Sequence, residues 1–150
     1  IAYIGGRPPA VEEAQKPLRT FLKPMEFYQA MQDAPEKERN KRWLVILDGC
    51  RFPDSYVMDD QTKDLLEFFE DAPLRGSHLF ACYRSIDQKK NSNLPDGWFS
   101  HILANGLSQA QVDLLSANPM GGMTKAEEHK GKVAYIDQGV VTWFLPFEAK

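Results

Sequence analysis

The fold is decided by the stretch RWLVILDGCR, residues 42–51. Five consecutive large apolar residues, 43–47, end at a single acid, Asp48, and a glycine follows it. A run that is apolar at both odd and even positions has to be covered on both faces, which is typical of an interior strand in a parallel sheet. We therefore predict a buried strand over residues 43–47, with Asp48 at its carboxyl end.

Other apolar runs predict strands on both sides of this one. They cover residues 1–4, 78–83 and 101–104, and a terminal hairpin is predicted from strands 132–136 and 140–146 around Gln138 and Gly139. Because strands alternate with helical segments, the pattern predicts an α/β fold in which the first four strands lie parallel in one sheet. The hairpin is expected to close the edge of that sheet.

Helical periodicity predicts the connections between the strands. The predicted helices cover residues 11–21, with a kink at Pro17, then 25–31, then the segment from Asp59 and Asp60 to Pro73, and finally 109–115. Residues 86–97 are polar and are predicted to form a loop.

Length and composition restrict the class of protein. The 150 residues are 43% apolar and fit one α/β domain, residues 1–150, and the strand-like start at residue 1 suggests a fragment of something longer. The net charge is −3 and no basic run occurs, which argues against a nucleic-acid partner. No apolar stretch is long enough to span a bilayer. Cys50 and Cys82 follow predicted strands and are expected to be buried, reduced thiols of a cytosolic protein.

Several functional motifs do not occur in the sequence. It has no G-x-x-x-x-G-K-[ST] phosphate loop, no G-x-S-x-G elbow and no H-E-x-x-H helix. Its three histidines are scattered, without a carboxylate at ligand spacing on a shared face. The 150 residues therefore do not cradle a triphosphate in the usual manner.

The candidate site lies where the strands 43–47 and 78–83 end. Ligands of open α/β sheets bind outside the carboxyl ends of the strands, and Asp48 could hold a metal ion there. Arg51, Phe52, Tyr83 and Arg84 follow the same two strand ends, and Arg and Tyr are common anchors of protein interfaces. Two structural alternatives stay open: Asp48 caps the following turn, or either arginine pairs with a nearby acid.

The order of these segments resembles the C-terminal two-thirds of an FtsK/SpoIIIE-type motor domain. WLVILD, residues 43–48, is similar to that family's Walker B strand, and GSHLFACYRS, residues 76–85, resembles its Gly-x-His, apolar strand and Thr-Gln-Arg-Pro-Ser segment. LSQAQVD, residues 107–113, is similar to its Ser-led helix, and GKVAYI, residues 131–136, resembles its closing strand pair. The resemblance implies a RecA-like (P-loop NTPase-like), mostly parallel sheet flanked by helices.

The departures from that family bear on catalysis. Gly49 stands where the family has the Glu that activates water, and Tyr83 replaces a Gln. The Walker A segment would lie upstream of residue 1. Such losses resemble the C-terminal ATPase modules of type VII secretion (EssC/EccC-like) proteins. The resemblance thus implies a degenerate, non-catalytic module with a vestigial nucleotide site at Asp48 and Arg84, while ATP and Mg²⁺ would belong to an intact parent module.

The same resemblance implies partners and a location. The partners would be other modules of the motor and a secreted protein substrate, docked near Arg51, Phe52, Tyr83 and Arg84. The domain would be cytoplasmic, in the cytosolic part of a membrane-anchored protein, with no membrane contact of its own. Two alternatives stay open: a fragment of an active FtsK-like translocase, and an unrelated α/β hydrolase-like domain with a metal at Asp48 and Asp54.

Overall fold

The chain forms two compact units, Ile1–Pro95 and Asp96–Lys150. The computed structural model describes residues 1–5, 18–54, 59–106, 108, 111, 112, 115 and 131–145. No helix within these ranges is both long enough and apolar enough to cross a bilayer. The expectation of one domain over residues 1–150 stays a prediction.

The first unit is built on a four-stranded parallel sheet. Its strands are β1 (Ala2–Gly5), β2 (Arg19–Phe21), β3 (Leu44–Asp48) and β4 (His78–Cys82), in the order β2-β1-β3-β4. The strand predicted from the central apolar run, β3, lies in the interior between β1 and β4, which confirms the prediction. The α/β class and the parallel arrangement of the strands predicted at 1–4, 43–47 and 78–83 are confirmed as well.

The described residues of this unit include the helices α1 (Pro24–Gln32), α2 (Glu36–Arg39), α3 (Asp60–Glu70) and α4 (Ile86–Lys90). Pro24 occupies the first turn of α1, where its missing N–H costs no hydrogen bond. Asp59 caps α3, since its carboxylate accepts the Thr62 N–H at 2.7 Å. The predicted starts of α1 and α3 are therefore confirmed.

Aromatic rings from the helices form the core beneath the sheet. Phe27 of α1 and Phe69 of α3 are both almost fully buried, and their ring centroids lie 6.0 Å apart. Phe69 also meets Phe52 edge-on at 5.3 Å. Val45 of β3 lines the same small void as Phe27 and Phe69, so the apolar run of β3 packs against both helices. This close packing fixes the position of β3 relative to the helices.

Three predictions for the first unit are wrong. Residues 19–21 were expected to be helical but form β2, which pairs with β1 while Phe21 packs on Phe27 at 5.2 Å; residues 11–17 lie outside the described ranges. Residues 86–90 form α4 rather than a loop, because the Ser85 hydroxyl accepts the Gln88 N–H at 3.1 Å and caps the helix. Cys82 is exposed rather than buried, because it lies on the same exposed face of β4 as His78 and Phe80.

The second unit contains an antiparallel sheet in the order β5-β6-β7. Its strands are β5 (His101–Asn105), β6 (Val133–Asp137) and β7 (Val140–Phe144). The predicted hairpin is confirmed, and Gln138 and Gly139 form its turn with φ of +47° and +83°. The expectation that it closes the edge of the parallel sheet is wrong, because its strands form a separate sheet with β5. The prediction that residues 101–104 join the parallel sheet is wrong, because β5 pairs antiparallel with β6 from His101–Asp137 to Asn105–Val133.

One side of this second sheet faces a small core of its own. Its buried members are Ala104, Val112, Ala134 and Ile136. Val112 is fully buried and Leu115 packs against the cluster, as the predicted helix over 109–115 requires. Part of that helix lies outside the described residues.

Candidate functional site at the carboxyl edge of the parallel sheet

The ends of three parallel strands bring distant residues into one row. The register pairs Asp48 of β3 with Gly5 of β1 on one side and with Cys82 of β4 on the other. The segments that follow β3 and β4 start from the same edge. The expectation that the residues after these two strands share one edge therefore agrees with the register.

Asp48 is engaged by a partner that sequence reasoning missed. The hydroxyl of Tyr3 donates a hydrogen bond to Asp48 Oδ2. Tyr3 is 3% exposed, and burial, followed by the hydrogen bond to Asp48, raises the pKa of Tyr3 to about 12. The phenol therefore stays protonated through the neutral range and keeps one carboxylate oxygen occupied. Only the strand register links these two residues, which are 45 positions apart.

Gly49, which directly follows Asp48, has a backbone conformation that disfavours any other residue. Its φ of +61° lies in the left-handed region, and a Cβ there would sit 2.5 Å from Gln88 Nε2. Its N–H donates to the Cys82 carbonyl at 2.9 Å, while Gln88 Oε1 accepts the Arg84 N–H at 2.7 Å. The turn after Asp48 is thus held between β4 and α4.

Gly5 marks a second close approach at this edge. A Cβ at Gly5 would lie 2.8 Å from the Asp48 carbonyl oxygen and 3.1 Å from Asp48 Cβ. Only glycine fits so near the backbone of β3 without a shift. Gly5 and Gly49 therefore serve the packing of the strand ends.

The four residues proposed for docking differ in exposure. Arg51 and Arg84 are exposed, and Tyr83 is partly buried. Phe52 is 1% exposed and packs on Phe69, and the Asn93 amide donates to its carbonyl at 3.1 Å. Phe52 is therefore a core residue and is not accessible to a partner. The residues still available for docking are Arg51, Tyr83 and Arg84.

Tyr83 places its hydroxyl inside the first unit. The oxygen is buried and makes no hydrogen bond of good geometry within the described ranges. Burial raises the pKa of Tyr83, and the neighbouring Ser92 side chain offsets part of that rise. The Ser92 hydroxyl itself donates to the Lys89 carbonyl at 2.5 Å. Only the exposed part of the Tyr83 ring can meet a partner.

Neither cysteine is set up as a nucleophile. The Cys50 thiol donates to the Ile4 carbonyl at 2.8 Å, and burial raises the pKa of Cys50 to about 11. Partial burial, and then the Asp48 charge, raises the pKa of Cys82 too. A raised thiol pKa lowers the fraction of reactive thiolate at neutral pH.

Metal ligands do not converge on Asp48. Among the described residues, no group of three or more His, Cys, Asp or Glu side chains is placed to hold a metal ion. A two-carboxylate site with Asp48 and Asp54 would need further ligands, and hard divalent cations bind through several oxygens. The hydrolase-like alternative has no geometric support in these residues.

A separate recess of about 380 Å³ lies between the helices of the first unit. Its lining includes Met31, Arg39, Phe68 and Arg75. The Arg75 guanidinium donates to the Phe68 carbonyl and stacks over the Phe68 ring at 4.7 Å. That cation already has internal partners, and the recess adds nothing to the chemistry of the carboxyl edge.

No family model matches the chain, and comparisons with curated proteins and with solved structures found no significant match. The likeness to FtsK/SpoIIIE-type motor domains therefore rests on the similar sequence segments described above and on a parallel sheet in which the interior strand β3 ends at Asp48.

Proposed function

We propose that this chain is part of a catalytically inactive, FtsK/SpoIIIE-like module of a protein-translocation motor, which acts in substrate docking, assembly or regulation. The RecA-like character of its sheet and its place in a type VII secretion motor belong to the same proposal. The parallel sheet, the interior position of β3 and the acid at its end support it.

The observation that carries the proposal is the state of Asp48 and Gly49. An ATPase of this type needs an acid that is free to hold Mg²⁺. It also needs a carboxylate next to that acid to orient the attacking water. Here the Tyr3 hydroxyl occupies one oxygen of Asp48, and the left-handed backbone at Gly49 disfavours a glutamate at that position. Loss of the general base alone removes a factor of roughly 10²–10⁴ from the rate.

Docking is the role that the remaining surface of this edge supports. Arg51 and Arg84 are exposed after neighbouring strands, and guanidinium groups bind carboxylates with two parallel hydrogen bonds. An acidic segment of a secreted substrate, or of a neighbouring module, suits these two cations.

The proposal predicts that the purified protein hydrolyses no ATP above the rate without protein, with Mg²⁺ or Mn²⁺ present. Phosphate release is the measurement, together with binding of a fluorescent ATP analogue followed by anisotropy. Gly49→Glu should not create activity, because the glutamate would need a left-handed backbone and would displace Gln88.

Asp48→Ala is the matched control for contamination. Turnover that disappears in this variant would come from the site itself and would refute the inactive-module proposal. Turnover that Asp48→Ala leaves unchanged comes from another protein in the preparation.

A further inference from the structure

The recess between the helices of the first unit places two cations beside apolar surface. Arg39 of α2 and Arg75, which follows α3, both line it, and Met31 and Phe68 supply an aliphatic and an aromatic wall. Met31 is 2% exposed, so its wall is continuous with the core. The volume of about 380 Å³ is in the range of small-molecule sites in proteins. The described residues that line the recess all belong to the first unit.

The Arg39 guanidinium has no ion-pair or hydrogen-bond partner among the described residues. Two acids, Glu36 and Glu38, lie on the same short helix. Glu38 is paired with Arg19 at 3.5 Å and with Lys41 instead, and Glu36 forms no ion pair with Arg39. An exposed, unpaired guanidinium beside a recess can bind an anion without first breaking an internal ion pair.

The second cation, Arg75, is held in place by Phe68. Its guanidinium donates to the Phe68 carbonyl and stacks over the Phe68 ring at 4.7 Å. That bond leaves most of the N–H donors of the guanidinium available, and the part of the chain that the structure describes offers them no other acceptor. Because the cation is already fixed, less side-chain entropy is lost when an anion binds to it.

An independent observation at the same place is the indole of Trp43. Its Nε1 is buried and makes no hydrogen bond within the described ranges. Trp43 lines a void of about 20 Å³ that shares Met31, Arg39, Phe68 and Arg75 with the recess. Buried donors are normally satisfied by protein, water or a ligand. The void has room for one water molecule, which can relay a hydrogen bond from the indole to a ligand in the recess.

We propose that the recess binds an organic monocarboxylate with an apolar or aromatic body. Arg39 and Arg75 donate to the carboxylate, and the body of the ligand packs on Met31 and Phe68. Glu36 also lines the recess and opposes a second negative charge, so a monoanion is favoured over a phosphate dianion. The site lies at the amino end of β3 and does not depend on the proposed function, which uses the carboxyl edge.

Titration with phenylacetate, followed in the proton–nitrogen NMR spectrum of the 150-residue chain, tests the site. The indole N–H signal of Trp43, assigned with Trp43→Phe, should shift in a saturable manner. The signals of Trp98 and Trp143, in the second unit, should stay unchanged and serve as internal controls. The neutral isostere phenylacetamide should bind about tenfold or more weakly, because it lacks the charge that strengthens hydrogen bonds to guanidinium. Inorganic phosphate should also bind more weakly, because it has no apolar body.

A pair of charge variants locates the anion. Arg39→Gln should weaken phenylacetate binding about five- to tenfold and leave the unfolding transition unchanged, because this guanidinium has no internal partner. Lys37→Gln is the matched control, since it removes the same charge from an exposed position of the same helix, outside the described lining of the recess. It should bind phenylacetate like the wild type.

N-acetylphenylalanine distinguishes the two sources of such a carboxylate, because it resembles the end of a peptide chain. Tighter binding than phenylacetate supports the proposal with a peptide carboxyl terminus as the ligand, and equal or weaker binding supports it with a free acid. The absence of a saturable shift at Trp43 overturns the inference. So does equal binding of phenylacetamide or phosphate, or an Arg39→Gln variant that binds like Lys37→Gln.

Discussion

At the scale of single residues, Tyr3 and Cys50 show how burial shapes the chemistry at the end of the sheet. The Tyr3 hydroxyl donates to Asp48, and the Cys50 thiol donates to the Ile4 carbonyl. Both side chains lie in the core, with exposures of 3% and 5%. Each donor is useful only while it keeps its proton, so both hydrogen bonds depend on pH.

We predict that the protein loses stability as the pH rises from about 9 to about 12. Burial raises the pKa of Cys50 from 9.0 to about 11 and, with the Asp48 hydrogen bond, that of Tyr3 from 10.0 to about 12. Above its ordinary pKa each group loses its proton in the unfolded chain first, so stability is full below pH 9 and falls through this window. The loss is on the order of 1–3 kcal/mol, because solvent at the half-buried Asp48 end screens part of the effect.

Urea unfolding at a series of pH values measures this dependence. Tyr3→Phe should cost about 1–2 kcal/mol at pH 7, because it removes the donor to a charged acceptor. It should also reduce the slope at alkaline pH. A variant with wild-type stability at pH 7 and an unchanged alkaline slope would show that the Tyr3–Asp48 hydrogen bond is unimportant.

A second prediction at this scale concerns Gly49. We expect Gly49→Ala to destabilise the protein by about 1–2 kcal/mol, because alanine is strained at positive φ and its Cβ meets Gln88. Gln88→Ala removes the steric part but not the backbone strain. The double variant should therefore recover only a fraction of the loss, measured by thermal unfolding; full recovery would mean that φ at Gly49 is irrelevant.

At the scale of elements, the packing of α1 and α3 determines how firmly β3 is held. Phe69 is fully buried, and its ring meets Phe27, Phe52 and Phe68. Phe80 on the edge strand β4, in contrast, is 59% exposed. Two phenylalanines of one unit thus occupy very different environments.

Truncation of these two side chains should separate the environments. Phe69→Ala is expected to cost about 3–5 kcal/mol, because it leaves a cavity among aromatic rings. Phe80→Ala should change the free energy of unfolding by less than about 1 kcal/mol, because the side chain is mostly exposed. Similar losses for both variants in urea titrations would contradict the assignment of the core.

At the scale of the whole molecule, the chain has a net charge of −3, and Arg51 and Arg84 are exposed cations that follow two neighbouring strands. Arg51 and Arg84 both follow strands of the parallel sheet. Rim cations of this kind govern which acidic partner is recognised and how fast it associates. The docking role proposed for this edge rests on these two side chains.

We predict that an Arg51→Ala/Arg84→Ala variant folds normally but loses a partner in pull-downs of the proposed motor complex. Lys23→Ala/Lys63→Ala removes the same charge from other exposed positions and should keep every partner. A folded double-arginine variant that retains all partners would remove the docking role from this edge.

Several elements were predictable from the sequence. They are the central strand, its parallel neighbours at residues 1–4 and 78–83, the starts of α1 and α3, and the hairpin. Their signals are local: apolar runs, capping residues and turn residues act over a few positions. The position of Asp48 at a strand end followed from the same run. Tertiary structure alone decided that Arg19–Phe21 is a strand and that β5 pairs with the hairpin. It also placed the Tyr3 hydroxyl against Asp48 and the Gln88 side chain next to Gly49. These features depend on which surfaces meet across long stretches of chain, and local propensity carries no record of strand register.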